Sequence, residues 1–75
     1  MKRILVDARK LRCPLPLLKL KQGIVQAALG DEIALRATDA GSWRDVPAFI
    51  GLTKHTLTEQ MQVNDEYWFV VVKGE

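Results

Sequence analysis

The residues of this chain whose types and spacing could do chemistry are concentrated in one short segment, Arg12-Cys13-Pro14-Leu15-Pro16. Proline lacks a backbone N–H and has φ close to the helical value, so Pro14 predicts the start of a helix. Cys13 would then cap that helix, with its sulfur near free backbone N–H groups and the positive end of the helix dipole. Pro16 would still lie in the first turn, where it removes no intrahelical hydrogen bond. The segment therefore predicts a thiol on a stiff helix N-terminus.

A cysteine in such a position can act as a nucleophile. The pKa of an unperturbed thiol is roughly 8.5, and helix N-termini and basic neighbours lower it. Since Arg9, Lys10 and Arg12 are close in sequence, we expect a lowered pKa and an exposed, reactive thiolate at Cys13. The alternative is a small buried hydrophobe, which is how many lone cysteines behave. The spacing by itself does not decide between the two.

Basic residues are concentrated in the first part of the chain. Residues 1–21 contain seven Lys or Arg and one Asp, a net charge of +6, whereas residues 22–75 contain four basic and eight acidic residues, a net charge of −4. Positive charge near a thiolate stabilises the anion and attracts acidic partners. The alternative is ordinary solubilising charge, and residues two apart on a helix point in different directions. The candidates for partner docking or thiolate stabilisation are Arg9, Lys10, Arg12, Lys19 and Lys21.

The length and composition predict one globular domain over residues 1–75. Hydrophobic residues make up 48% and charged residues 27%, which is an ordinary globular balance. A single cysteine cannot form an internal disulfide, and no leader-like segment or membrane-length apolar run is present in the sequence. We therefore expect a cytoplasmic protein that does not associate with membranes.

The first half of the chain has the pattern of a strand, a helix and a strand. Ile4-Leu5-Val6 predicts a short strand that is buried on both faces or nearly so. From Pro14, apolar residues recur at helical spacing, and Gly30 is typical of the residue that closes such a helix. The segment from Glu32 to Thr38 alternates as a strand covered on one face does, and a parallel crossover between the two strands is expected.

The second half predicts a shorter helix and an antiparallel hairpin. Apolar spacing indicates a helix between Trp43 and Leu52, with Asp45 a better cap than Ser42 because of Pro47. An alternating segment to Val63 and the apolar segment 67–72 flank an Asn64-Asp65 turn. The order βαβαββ predicts a two-layer α/β sandwich, with a mixed four-stranded sheet covered by two helices on one face.

Four further polar residues are possible secondary members of a site. Asp7 could orient the loop before Cys13 or simply accept turn hydrogen bonds. Asp39 and Asp45 lie in a turn and at a helix entry, where capping explains them without chemistry. His55 could move protons, although a histidine between a helix and a strand is more often a surface or capping residue.

The segment from Leu5 to Pro16 resembles the opening of the TusA/SirA-like sulfur-carrier family, which has an aspartate, a short loop and a Cys-Pro-x-Pro motif. Further matches in the same order are Gly30-Asp31-Glu32, Thr38-Asp39, Arg44-Asp45-Val46-Pro47 and His55. The resemblance implies the same sandwich fold and a sulfurtransferase-type relay, with a persulfide on Cys13. It further implies receipt from a cysteine desulfurase or other sulfur donor, delivery to an acceptor protein, and no metal or organic cofactor.

The chain departs from the family pattern at three positions. Lys10 replaces a usual glycine, which enlarges the basic patch, and Leu15 lies where some members have an acidic residue, so partner choice could differ. Ile50 takes the place of a second cysteine that some members carry, which leaves no resolving thiol.

Two other functions compete with sulfur transfer. A basic patch on a small mixed sheet suits RNA recognition, but the aromatic residues do not alternate with the basic ones in this sequence. A redox-regulatory interaction module in which Cys13 senses oxidants would share a low-pKa thiol without sulfur transfer.

Overall fold

Six secondary-structure elements follow the predicted order. The computed structural model describes residues 2–75, which fold as βαβαββ. No helix within these residues is long and apolar enough to cross a membrane. The elements are β1 (Arg3–Ala8), α1 (Leu15–Gln26), β2 (Glu32–Ala37), α2 (Ser42–Gly51), β3 (Thr56–Val63) and β4 (Glu66–Val72).

A single mixed sheet with strand order β1-β2-β4-β3 carries both helices on one face. β1 and β2 are parallel, and β4 pairs antiparallel with both β2 and β3. The predicted sandwich is therefore confirmed, and β4 lies at the centre of the sheet. Apolar side chains of both helices and of β1, β2 and β4 fill the space between the helices and the sheet. Those buried most completely include Leu20, Ile33, Leu35, Val46, Phe69 and Val71.

Helix α1 lies close to the sheet because of Gly23. A Cβ at this position would lie 2.8 Å from Cγ2 of Val6 and 3.3 Å from Cγ2 of Ile33, so a larger residue would push the helix away from β1 and β2.

Helix α1 ends earlier than predicted. Ala27 is the C-cap residue, and its carbonyl accepts a hydrogen bond from Lys73 Nζ at 2.8 Å, whereas Gly30, at φ +86°, lies in the following turn.

The first strand is covered on one face only, which corrects the prediction of a strand buried on both faces. Its residues alternate between the helix side, where Ile4, Val6 and Ala8 pack, and the open side, where Leu5 is 73% exposed. Because β1 lies at the sheet edge and the helices cover a single face, its second face has nothing to pack against.

Helix α2 begins at Ser42 and Gly41 is its N-cap residue, so the preference for Asp45 over Ser42 as the cap is wrong. Pro47 lies inside the helix and cannot donate the backbone hydrogen bond that Trp43 would otherwise accept. Gln60 of β3 supplies a replacement, since its Nε2 donates to the carbonyl oxygen of Trp43 at 2.9 Å. A partner from a neighbouring strand therefore allows a helix with an internal proline.

A β-bulge interrupts the simple alternation expected for β3. Leu57 is opposite Val71 and packs on the core, but the register shifts before Glu59, which is opposite Val70. Beyond the bulge Gln60 is on the helix side, while Met61 is on the open side with Trp68. One extra residue thus reverses which side chains face the core.

Candidate functional site

The loop from β1 to α1 determines where Cys13 lies. Lys10 has φ +65°, in the left-handed region, and its backbone N–H donates to Thr38 Oγ1 at 2.7 Å. The chain then turns through Cys13, since the N–H of Leu15 donates to the Arg12 carbonyl at 2.8 Å. The loop is thereby tied to the end of β2, and Cys13 lies where β1 and β2 both terminate.

Cys13 lies one residue before the helix cap, which corrects its predicted position. Pro14 is the N-cap residue, α1 begins at Leu15, and Pro16 is the second residue of the helix. The backbone N–H of Leu18 donates to the Pro14 carbonyl at 3.1 Å. Both prolines therefore lie at the helix start as expected, but the sulfur makes no capping hydrogen bond to the helix amides.

The exposed thiol of Cys13 donates a hydrogen bond to Asp45 Oδ2, with the sulfur and oxygen 3.0 Å apart. Asp45 lies in the first turn of α2 and is half-buried. This hydrogen bond raises the pKa of Cys13, and partial burial and the charges of Asp45 and Asp39 raise it further. The prediction of a lowered thiol pKa is therefore wrong for the unmodified chain, although exposure of Cys13 is confirmed.

A second carboxylate lies behind the first. Asp39 follows β2, and its Oδ2 is buried without a hydrogen-bond partner among the described residues. Its backbone carbonyl accepts from the N–H of Ser42 at 3.1 Å, which fixes the start of α2. Asp39 and Asp45 thus place two negative charges around the sulfur, where the sequence predicted positive ones.

The five predicted basic residues do not form one surface. Arg9 makes a two-point ion pair with Asp7, with a shortest distance of 2.8 Å. Lys21 Nζ lies 4.9 Å from the ring centre of Phe49 on α2, whereas Lys19 lies along the β1 edge. Lys19 and Lys21 therefore point apart as predicted, and the exposed basic residues nearest Cys13 in sequence are Arg12 and Lys10.

The sequence matches one protein family along almost its whole length. The family model described as sulfurtransferase TusA matches residues 4–74. The chain belongs to the TusA family. It is also 31% identical over 70 residues to a curated protein of Archaeoglobus fulgidus that is named as a proposed sulfur carrier protein. The match covers 93% of this chain and 94% of that relative.

Two of the departures from the TusA pattern have clear structural settings. Lys10, where the resemblance implies a glycine, has the positive φ that glycine adopts freely and other residues adopt at a cost. Ile50, where the resemblance implies a cysteine in some members, is buried in the core. The third, Leu15, is exposed in the first turn of α1, between the two prolines of the motif.

The remaining candidates have structural roles in this TusA-family chain. Asp7 accepts hydrogen bonds from the side chain and backbone of Arg9, and these bonds hold the pKa of its carboxyl well below the usual range. His55 lies just before β3, at the end of the sheet opposite Cys13, and its Nδ1 accepts a hydrogen bond from the Gly74 N–H at 3.0 Å. The structure therefore does not bring His55 to Cys13.

Sequence reasoning missed the Cys13–Asp45 contact and the role of Thr38. The sequence offers Asp45 as a possible secondary site residue that capping also explains, and its contact with Cys13 depends on how α2 packs beside α1, which no local pattern reports. The only sequence signal for Thr38 was the family match at Thr38-Asp39, which does not indicate its hydrogen bond to the loop before Cys13.

Within residues 2–75, no group of three or more His, Cys, Asp or Glu side chains is arranged to hold a metal ion.

Proposed function

We propose that the chain is a sulfur carrier that accepts a persulfide sulfur on Cys13 and passes it to acceptor proteins. The observation that carries this proposal is the exposure of Cys13, the one cysteine of the sequence, at the start of α1 in a chain of the TusA family. The donor is a cysteine desulfurase or another protein that holds a persulfide.

Loading is a thiol exchange at the terminal sulfur of the donor. The sulfur of Cys13 attacks that terminal atom, a new S–S bond forms to Cys13, and the S–S bond of the donor breaks. The proton lost by Cys13 goes to the donor's released thiolate, so the step needs no oxidant or reductant. Delivery is the same exchange with Cys13 as the group that leaves.

A carrier of this kind needs a surface where partners can dock beside the sulfur. Leu15 and Leu18 are both about half-exposed and are three residues apart on α1, so they lie on one side of the helix. Exposed apolar residues next to charged ones are typical of protein contact sites. We propose that these leucines, with Lys10 and Arg12, contact both donor and acceptor.

The proposed pathways are tRNA thiolation, sulfuration of cofactors or sulfur oxidation, since each can use the same exchange with different partners. A free cysteine without an internal partner suits a reducing compartment, and we propose that the protein acts in the cytoplasm.

RNA binding as the main role is disfavoured by the ion pairs on the open sheet face. Arg3 pairs with Glu32, and Arg36 pairs with Glu66 at 2.6 Å while lying over the Trp68 ring. Arginines that are already neutralised bind phosphate poorly. A redox-sensing role would use the same exposed thiol, and membership of the TusA family favours sulfur transfer over it.

The proposal is tested by a two-step transfer with ³⁵S-labelled cysteine and a purified cysteine desulfurase. Wild-type chain is expected to acquire a label that a reductant removes, and to lose it to an added low-molecular-weight thiol. Cys13→Ser is the matched control and is expected to remain unlabelled. Equal labelling of both chains, or of neither, would overturn the proposal.

A further inference from the structure

We propose that Asp45 is a positioning residue that holds the sulfur of Cys13 against α2 in the empty carrier and repels it once the persulfide is loaded. This inference rests on the proposed sulfur-carrier function and adds a difference between the two states of the carrier. Asp45 touches the sulfur from α2, an element that the Cys-Pro-x-Pro motif does not include.

The empty state is held by a hydrogen bond that requires a proton on sulfur. The carboxylate of Asp45 can only accept, and Cys13 Sγ lies 3.0 Å from its Oδ2, so the thiol must be the donor. The contact also raises the pKa of Cys13, which keeps the thiol protonated over a wider pH range. The empty carrier is thus a poor nucleophile until a partner disturbs the contact.

The loaded state lacks that donor. The terminal S–H of a persulfide is a stronger acid than a thiol, because the neighbouring sulfur atom weakens the S–H bond and stabilises the anion. After loading, the former thiol sulfur is bonded to sulfur and carries no proton, and the terminal sulfur is anionic. An anion beside Asp45, with Asp39 behind it, meets like charge on that side. The loaded sulfur is therefore expected to turn away from α2 toward solvent and partners.

Charged groups on the elements next to Cys13 differ in their effect on its sulfur. Asp45 lies on α2 and Asp39 on the loop from β2, and both raise the pKa of Cys13. On the loop of Cys13 itself, Arg9 is paired with Asp7, while Lys10 and Arg12 are exposed to solvent, as is Arg44 beside Asp45 on α2. On α1, Lys19 lies along the β1 edge and Lys21 over Phe49.

The empty state is tested by the pH dependence of iodoacetamide alkylation of Cys13, with no sulfur donor present. Asp45→Asn is expected to lower the apparent pKa of the thiol. For each unit of pKa lost, alkylation becomes about threefold faster near neutral pH and about threefold slower at high pH, because nucleophilicity falls with pKa. The two profiles should therefore cross, which a merely structural change would not produce.

Matched variants complete the alkylation experiment. Asp45→Glu keeps a carboxylate and is expected to restore a profile close to wild type. Asp65→Asn removes the same charge from the exposed β3–β4 turn and should leave the profile unchanged. If the Asp45→Asn profile superimposed on wild type, or if Asp65→Asn shifted as much, the proposal would be overturned.

The loaded state is tested by NMR on wild-type chain, without any variant of Asp45. The side-chain carboxyl ¹³C resonance of Asp45 is recorded for the empty chain, for chain loaded with inorganic polysulfide, and for Cys13→Ala, which has no donor at this position. The loaded resonance is expected to match that of Cys13→Ala. A resonance unchanged from the empty chain would contradict the proposal.

Failure of this inference is distinguishable from failure of the proposed function. Alkylation and chemical loading require no desulfurase, so they report on Asp45 whether or not an enzyme donor loads Cys13. A chain that a desulfurase cannot load, but whose alkylation profiles cross, would refute the carrier function and leave the empty-state contact standing.

Discussion

The sulfur of Cys13 and the carboxylate of Asp45, 32 residues apart in sequence, are joined by a hydrogen bond of 3.0 Å. The bond links the loop before α1 to the first turn of α2, so the sulfur is held by a helix that lies far from it in sequence. An isolated Cys-Pro-x-Pro segment has no such partner, and the folded chain should therefore differ measurably from a peptide with the same local sequence.

That difference should be visible in the pH dependence of alkylation. Because contact with Asp45 raises the pKa of Cys13, the thiolate forms at higher pH in the folded chain than in an unstructured peptide of residues 12–16. We expect slower iodoacetamide alkylation of the protein at pH 7 and a higher apparent pKa. A folded chain that ionised at lower pH than the peptide would contradict the geometry.

The same shift has a consequence for stability. A group whose pKa is higher in the folded than in the unfolded state stabilises the fold below its unfolded pKa, and that contribution is lost as pH rises through the folded value. The urea concentration at the unfolding midpoint should therefore decrease as the pH is raised above about 9. Cys13→Ala should show a smaller fall over this range, and equal falls would count against the hydrogen bond.

Lys10 should carry a backbone cost that glycine would relieve. Its φ of +65° lies in the left-handed region, where a Cβ costs about 1–2 kcal/mol, partly offset by the greater freedom of glycine in the unfolded chain. We expect Lys10→Gly to be more stable than Lys10→Ala by about 1 kcal/mol in urea unfolding. Both variants remove the same charge, so a more stable alanine variant would show that this loop is not strained.

Gln60 should stabilise the proline-containing helix from outside it. Its side chain donates to the Trp43 carbonyl, which Pro47 leaves without a helical partner. Gln60→Ala should lower the free energy of unfolding by about 1 kcal/mol. Gln62→Ala, in the same strand but with only a 3.5 Å contact to Asn64, is the control and should cost less. The assignment fails if the two variants cost the same.

The one-sided sheet predicts unequal costs for two leucines. Leu35 of β2 is fully buried beneath the helices, whereas Leu5 of β1 is on the open face. Leu35→Ala should cost about 2–5 kcal/mol, while Leu5→Ala should lie within about 0.5 kcal/mol of wild type. Chemical denaturation followed by circular dichroism measures both; a large cost at Leu5 would mean that the open face is covered in solution.

Elements were predictable where their signals were local. The spacing of Leu20 and Ile24 and the alternation of Ile33 and Leu35 report one helix and one strand directly, and together with the hairpin pattern they were enough for the sandwich. The start of α2 was not predictable, because the helix tolerates Pro47 only through Gln60, a residue on another element.

The exposure of the candidate cysteine was predictable, but the charges around it were not. Cys13 was evident from its motif, and positive charge was evident from the count over residues 1–21. The basic residues near Cys13 in sequence do not all lie near it in space, because Arg9 pairs with Asp7 and Lys21 lies over the ring of Phe49. The carboxylates came from distant segments that only tertiary packing brings to the sulfur.

The central claim, that Cys13 carries the transferred sulfur, is tested most directly by intact-mass spectrometry after incubation with cysteine and a cysteine desulfurase. Wild-type chain should gain the mass of one sulfur atom, and a reductant should remove it. Cys13→Ser, which has no thiol, should gain nothing. No reducible gain on wild type, or the same gain on Cys13→Ser, would contradict the account.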